Sequence, residues 1–270
     1  MKINRRKVFS WTKIVIIVYC LIGIALYYLQ ERFLFHPEKL DKNYQYHFDR
    51  PFEEVMIPVN KEDTISLVKF FPADSLRKGV VLYYHGNRKN IGHYAAYAGI
   101  FLKHGYEVWM ADYPGFGKTT GVRTEKKMYE QALIVQQLAA SRYSGDSIII
   151  YGKSLGTGIA TYVAANTRSR ALVLETPYYS IPSLFAHYAM IYPVSYMATY
   201  KIPAYQYMAD VKAPVLIFHG TGDDVIPLSN AEKLKPYLKK GDRFIVIKGG
   251  GHNTLGNFPE FNAALDSLLQ

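Results

Sequence analysis

The stretch Ser147-Ile148-Ile149-Ile150-Tyr151-Gly152-Lys153-Ser154-Leu155-Gly156 decides how this 270-residue chain is read. Its first half is an apolar, β-branched run with the length of a buried strand. Its second half is G-x-S-x-G. Thr157 to Asn166, which follows, is rich in Ala, Gly and Ile and reads as a packed helix. Strand, tight turn and helix form the frame in which this motif lifts a serine hydroxyl out of a sheet. Glycines at both ends suit a turn where side chains would collide with neighbouring backbone. Ser154 is therefore the candidate nucleophile, and a purely structural glycine turn is the alternative.

A serine needs a base within hydrogen-bond reach and a group that orients the base. Two later runs end in loops carrying such groups. Pro214 to His219 reads as a strand leading into Gly220-Thr221-Gly222-Asp223-Asp224-Val225-Ile226-Pro227. Arg243 to Ile247 reads as a strand leading into Lys248-Gly249-Gly250-Gly251-His252-Asn253. His252, on a Gly-rich loop just past a strand, is the candidate base. His219 ends a buried strand and reads as structural. His93, His104 and His187 fall in helix-like or lid-like segments, and His36 and His47 lie near the N-terminal apolar segment without an evident role. Three carboxylates are candidates for the orienting acid: Asp223, Asp224, and Glu175 at the end of the run Ala171-Leu172-Val173-Leu174. Asp224 could also cap the segment after it, since Asp readily bonds nearby backbone N–H groups.

Acyl transfer also requires donors for the negative oxygen of a tetrahedral intermediate. These are commonly the N–H of the residue after the nucleophile and one from the loop after the third strand. Leu155 and Asn87 occupy those places, the latter in Leu82-Tyr83-Tyr84-His85-Gly86-Asn87.

At these residues the chain resembles the α/β-hydrolases of the serine hydrolase type, and within them the membrane-anchored, esterase-like and depalmitoylase-like branch. The resemblance runs through Phe33-Leu34-Phe35-His36-Pro37, His85-Gly86-Asn87, Asp112-Tyr113-Pro114-Gly115-Phe116-Gly117, Gly152 to Gly156 and Gly250-Gly251-His252. The acid-loop pattern His-Gly-x-x-Asp-x-x-Ile-Pro implies that Asp223, among the three carboxylates, is the acid. The similarity covers almost the whole chain from about Phe33. It is specific for fold and triad and weakly specific for substrate. Asn87-Arg88-Lys89-Asn90 departs from it, placing two positive charges beside the expected oxyanion loop where many relatives have small residues.

The apolar runs agree with that fold independently. They fall at Glu53–Val59, Thr64–Phe71, Gly79–His85, Tyr106–Asp112, Ser147–Tyr151, Ala171–Glu175, Pro214–His219 and Arg243–Ile247. Helix-like stretches alternate with them from the third onward: Gly92–His104, Glu125–Tyr143, Ser154–Asn166, Ser229–Lys240 and Asn257–Leu269. The expectation is an α/β fold: an eight-stranded, mostly parallel sheet with helices on both faces and an antiparallel start. Catalytic loops then gather at the C-terminal ends of the strands.

An insertion at about 178–210, between the sixth and seventh strands, exceeds an ordinary αβ connection. It carries Tyr178, Tyr179, Tyr188, Tyr192, Tyr196, Tyr200, Tyr205 and Tyr207. Two readings are open. It is a cap presenting an amphipathic aromatic surface to an apolar substrate, or a helical insertion whose aromatics simply pack on the core.

Val8 to Leu29 is apolar apart from Lys13 and a few polar residues. Ile14 to Leu29 alone rises about 24 Å, short of a hydrocarbon core of roughly 30 Å. Counted from Val8 with Lys13 snorkelling, the segment reaches about 33 Å and can span. No small-residue cleavage site precedes Gln30, so an uncleaved anchor is preferred to a signal peptide. Tyr19, before Cys20, is too bulky for a lipoprotein site. Lys2, Arg5, Arg6, Lys7 and Lys13 lead the segment, whereas Gln30, Glu31 and Arg32 follow it. The positive-inside rule then leaves the N-terminus in the cytoplasm and the rest of the chain outside. The expected organisation is a flank and anchor over residues 1–32 and a hydrolase domain over 33–270.

The net charge is +10, and five of those charges belong to the N-terminal flank. The remainder is available to an anionic lipid surface. Cys20 is the only cysteine, which rules out an intramolecular disulfide or a cysteine-based metal site. Nucleic-acid motifs and repeats are lacking, and Gly152-Lys153-Ser154 lacks the earlier glycine of a P-loop. These observations lead to the expectation of a membrane-anchored serine hydrolase acting on a small-molecule or lipid-like acyl ester or thioester. It would work through Ser154, His252 and Asp223, with neither metal nor organic cofactor. A peptidase or amidase on the same scaffold and an inactive hydrolase-like binding protein are the alternatives.

Overall fold

The computed structural model of the chain describes residues 5–73 and 77–270. Lys2, in the expected basic flank, lies outside the described residues, as do the side chains of Arg5, Lys7 and Val8.

Eight strands form one sheet: β1 (Phe52–Pro58), β2 (Thr64–Phe70), β3 (Gly79–Tyr84), β4 (Tyr106–Ala111), β5 (Ile148–Lys153), β6 (Ala171–Glu175), β7 (Val215–Gly220) and β8 (Arg243–Ile247). Their order is β8-β7-β6-β5-β3-β4-β2-β1. β1 and β2 pair antiparallel, as do β2 and β4, and every other pairing is parallel. β3, β5, β6 and β7 are buried along their whole length. This is why their sequences read as unbroken apolar runs, since helices cover both faces. The edge strands β1 and β8 are only partly covered and carry polar residues.

Eight helices are needed to describe the layers: α1 (Arg5–Leu34), α2 (Ile91–Leu102), α3 (Glu125–Ala140), α4 (Leu155–Asn166), α5 (Ile181–Tyr188), α6 (Val194–Met197), α7 (Ala204–Met208) and α8 (Pro259–Leu269). One core cluster joins the sheet to α3, α4 and the inserted segment, and includes Leu34 and Phe35. The other joins its opposite face to α2 and α8. α2 is broken by a tighter turn at Ala95–Ala98. The stretch expected to be helical over Ser229–Lys240 is a single α-turn, Leu228–Ala231, followed by a 3₁₀ segment containing Pro236. Proline lacks the N–H that a longer α-helix would need there.

The insertion between β6 and β7 folds as α5, α6 and α7 over the C-terminal edge of the sheet, and its tyrosines divide between the two readings. Tyr178 is buried and donates to the Leu155 carbonyl, 3.0 Å away. Tyr200 is buried and donates to the Arg123 carbonyl at 2.9 Å. Tyr188 and Tyr196 are exposed, together with Met190 and Ile191.

α1 contains an apolar stretch, Phe9–Leu34, long enough to cross a membrane. It runs on to Leu34, and the chain leaving it pairs His36–Pro37 in parallel with Arg88–Lys89. That two-residue ladder ties the base of α1 to the turn after β3.

Candidate active site

β5 ends at Lys153, and the chain then reverses through Ser154 into α4. Ser154 has φ 50° and ψ −120°, a left-handed backbone unusual for a residue with a side chain. Its N–H bonds the Glu175 carbonyl at 2.9 Å and its carbonyl accepts Thr157 N–H at 2.9 Å. Strain of this kind persists only where its surroundings over-determine it. Part of that determination comes from Gly156. A Cβ there would collide with the Tyr84 carbonyl and sit 2.7 Å from the His85 oxygen. The start of α4 therefore lies directly on the backbone of the turn after β3.

β7 and β8 bring the other two groups to Ser154. Gly220 lies so close to the Gly250 carbonyl that no side chain fits between the acid and base loops. Gly222 N–H bonds the Gly250 carbonyl at 2.9 Å, holding the two loops together. Across them, His252 Nδ1 is 2.8 Å from Asp223 Oδ2, and His252 Nε2 is 3.0 Å from Ser154 Oγ. An ionised carboxylate can only accept, so Nδ1 carries the proton. Nε2 is then free to accept from the serine hydroxyl.

Asp223 is buried at its side chain. Burial alone would raise its carboxyl. The hydrogen bond and charge of His252, with the Ile226 and Val225 N–H groups, outweigh burial and hold it below the usual carboxylate range. Those N–H groups reach Asp223 Oδ1 at 2.8 and 2.9 Å. The capping role open to Asp224 thus belongs to Asp223. Asp224 is exposed, and its carbonyl faces the Tyr188 hydroxyl. His219 backs the acid. Its Nε2 is 2.9 Å from the Ile226 carbonyl and 3.5 Å from Asp223 Oδ2. Burial lowers its pKa despite that carbonyl and the Asp223 charge.

Glu175 faces elsewhere. It pairs with Lys153, and the Tyr151 hydroxyl donates to its second oxygen. Lys153 and Glu175 are both buried, and Lys153 Nζ also reaches the His252 carbonyl at 3.4 Å. The residue beside the serine therefore braces the base loop. A lysine in a motif's variable position carries no sign of burial, so sequence reasoning missed it.

Leu155 opens α4, so its N–H belongs to the first turn that has no intrahelical partner. Asn87 stands in the turn pressed against Ser154, where a Cβ on Gly86 would be 3.7 Å from the Ser154 Cβ. The Asn87 carbonyl accepts His36 N–H at 2.9 Å, and its amide donates to the Leu34 carbonyl at 2.7 Å. Below it, His85 is buried, with Nε2 3.2 Å from Asp112 Oδ1. Burial raises the Asp112 carboxyl even against the bond and charge from His85. The charged Arg88 and Lys89 side chains point to the surface. Among the described residues, no group of three His, Cys, Asp or Glu side chains gathers to hold a metal ion.

Solved structures share this architecture. An esterase of Pyrococcus furiosus superposes with a TM-score of 0.69 at 19% identity, covering 87% of this chain and 97% of that one. A cold-adapted esterase from an Arctic intertidal metagenomic library does so at 0.64 and 16%, covering 86% and 98%. The family described as serine aminopeptidase, S33, matches residues 76–207, which include Ser154 but stop before β7. Human alpha/beta hydrolase domain-containing protein 17B is 26% identical over 238 residues, 86% of this chain and 80% of that protein. The chain has the α/β-hydrolase fold. It is also 30% identical over 188 residues to an uncharacterised protein of Mycobacterium tuberculosis. That match takes in 68% of this chain and 66% of the mycobacterial protein, just under two thirds of its length.

Proposed function

We propose that this α/β-hydrolase is a membrane-anchored serine hydrolase that cleaves acyl esters or thioesters through an acyl-enzyme. The unbroken relay from Ser154 Oγ through His252 to Asp223, at 3.0 and 2.8 Å, carries the reading. Ser154 Oγ attacks the acyl carbonyl while His252 Nε2 takes its proton. The carbonyl electrons move to oxygen, which Asn87 and Leu155 N–H groups receive. The tetrahedral adduct collapses, the leaving alkoxide or thiolate takes the proton from His252, and the acyl group stays on Ser154. Water then repeats the sequence, delivering its proton to His252 and releasing the acid and the serine. Asp223 holds the imidazole tautomer and balances its transient positive charge. Each oxyanion donor is worth about 10²–10³ in kcat.

Residues 1–32 serve in this reading as flank and anchor, and 33–270 as the hydrolase domain. The N-terminus is cytoplasmic and the domain lies outside. A peptidase or amidase is the second reading, favoured by the description of the family matching residues 76–207.

Fluorophosphonate labelling tests the nucleophile: the wild type should be labelled on Ser154, and Ser154→Ala should not. Ser154→Ala and His252→Ala should each lower turnover by several orders of magnitude. Asp223→Asn should lower it by about 10³–10⁴, with Asp224→Asn close to wild type. Normal turnover in Ser154→Ala refutes the mechanism, and a larger loss in Asp224→Asn than in Asp223→Asn refutes the acid. A panel of esters, thioesters and aminoacyl amides separates the two readings.

A further inference from the structure

α1 is held along the cap for a large part of its length. The Tyr19 hydroxyl donates to the Ile191 carbonyl at 2.9 Å, and the Tyr192 hydroxyl donates to the Tyr19 carbonyl at 3.0 Å. The two rings stack 4.6 Å apart. Further along, the Gln30 amide receives Thr199 N–H at 2.7 Å and donates to the Met197 carbonyl at 3.2 Å. The Tyr200 hydroxyl meets Glu31 at 3.0 Å. Between these fastenings lies a cavity of about 310 Å³. Leu26 and Phe33 of α1 line it, with Phe185, Tyr188, Val194 and Met197 of the cap. An apolar cavity of about half that size stays dry and accepts an apolar ligand.

The anchor reading sets the depth of this cavity. From Phe9 to Tyr19 the helix rises only about 15 Å. That is half of a hydrocarbon core of roughly 30 Å. Trp11 and the pair Tyr27–Tyr28 suit the two interfaces. Tyr19 then lies near mid-membrane, and the cap residues bonded to it lie well below the headgroups. The cap has the side chains for that place. Met190 is 82% exposed, Ile191 73% and Tyr196 91%. No Asp, Glu, Lys or Arg occurs from Thr176 to Tyr200, or from Ile14 to Gln30.

Two of the residues lining the cavity are linked to the candidate site through their bonds or their chain neighbours. The Tyr188 hydroxyl donates to the Val225 carbonyl at 2.8 Å, on the loop of Asp223. Phe33 precedes Leu34, whose carbonyl holds the Asn87 amide at 2.7 Å. The acid loop and the Asn87 turn are the two backbone segments that bracket Ser154.

We propose that the cap tip is embedded in the leaflet on the hydrolase side of the membrane, and that the α1–cap cavity takes the acyl chain of a bilayer glycerolipid entering sideways. The chain's ester end is thereby led to Ser154. The depth rests on the anchor and topology proposed above, and the last step on the hydrolase reading.

The test uses the full chain carrying Ser154→Ala, so that lipid stays intact. It is reconstituted in phosphatidylcholine vesicles doped with a phosphatidylcholine whose acyl chain bears a diazirine. After irradiation, adducts are mapped by mass spectrometry. Adducts are expected at Phe185 and Met197, as well as on the outward residues Ile17 and Leu21. Ala189→Trp and, as a second variant, Leu26→Trp fill the cavity. Each should cut the Phe185 and Met197 adducts by at least about tenfold while those on Ile17 and Leu21 persist. Adducts confined to α1, or cavity adducts untouched by either folded variant, overturn the proposal. A nitroxide on Met190→Cys, in a Cys20→Ala background, should collide with dissolved oxygen more than with an aqueous nickel chelate. The reverse places the tip in water and overturns the depth assignment. Hydrolysis of a soluble short-chain ester is read separately in the wild-type chain. Lipid adducts without any ester hydrolysis uphold the cavity and refute the hydrolase reading.

Discussion

Replacing Gly156 by alanine strikes the candidate oxyanion site without altering any charge or any member of the Ser154–His252–Asp223 relay. A Cβ built at Gly156 lies 2.5 Å from the Tyr84 carbonyl carbon and 2.7 Å from the His85 oxygen. Ordinary C···O contacts begin near ~3.3 Å. The turn after β3 and the first turn of α4 must therefore part by roughly 1 Å, because the obstacles are backbone and cannot rotate away. That movement separates Asn87 from Leu155. An oxyanion donor works within about 2.7–3.1 Å, so one of the two N–H groups is lost, at a cost of about 10²–10³ in kcat. Overpacking of this kind costs about 1–3 kcal/mol of stability, which a folded domain can survive.

The assay is steady-state hydrolysis of a soluble chromogenic ester, with thermal melts to establish folding. We expect Gly156→Ala to fold, to melt lower, and to lose about a hundredfold or more in kcat with KM little changed. Gly256→Ala is the matched control, since nothing lies within 4 Å of a Cβ there. It should be indistinguishable from wild type. A folded Gly156→Ala enzyme that keeps kcat within about threefold refutes the assignment of Asn87 and Leu155 as a coupled donor pair.

Lys153→Met leaves Glu175 buried without its cation and should cost about 3–5 kcal/mol in urea unfolding, whereas Lys153→Met/Glu175→Gln should recover most of it; strict additivity of the two changes would contradict the buried pair. Burial lowers the His219 pKa, so the folded state binds that proton less tightly than the unfolded chain. Stability is then complete above the unfolded value of ~6.5 and declines as pH falls below it, so the Tm should drop between about pH 7.5 and 5.5. His219→Gln should flatten that slope, and an unchanged slope would assign it to other groups. A chain beginning at Phe33 should leave the integral membrane fraction yet still hydrolyse small soluble esters; retention in alkali-washed membranes would refute α1 as the anchor. Alkaline phosphatase fused after Gln270 should be active if the hydrolase domain faces outward, and an inactive, cytoplasmic fusion would reverse the topology.

Much of the fold was legible because the four strands β3, β5, β6 and β7 are buried from both sides, and burial from both sides writes itself as largely apolar sequence. The limits of the strands were less so. The apolar run ends at Tyr151, but β5 continues because Gly152 and Lys153 pair by backbone with Leu174 and Glu175 of β6. Ser154 and His252 were legible through glycine-bounded turns placed after strands. The choice of Asp223 over Asp224 was not legible from the residues themselves. Adjacent aspartates have the same chemistry, and only the side-chain direction separates them. One reaches His252 and two backbone N–H groups, and the other faces water.

The contact between α1 and the cap shows where local pattern stops carrying information. Tyr19 meets Tyr192 across 173 residues of chain, and Tyr200 meets Glu31 across 169. A periodicity test sees only neighbours, so it could not tell which cap tyrosines turn inward. Hydropathy marks Val8 to Leu29 as an apolar segment but assigns all its faces one role. In the folded chain one face of that helix is a wall of the α1–cap cavity, and Leu34 and Phe35 at its end enter the core. The ladder from His36–Pro37 to Arg88–Lys89 then links the same helix to the Asn87 turn. A helix that only tethered the domain would have no need of bonds to the cap, to the core and to the turn beside the nucleophile. Those bonds make its position part of the candidate site, so α1, the cap and the turn beside Ser154 belong to one structural unit.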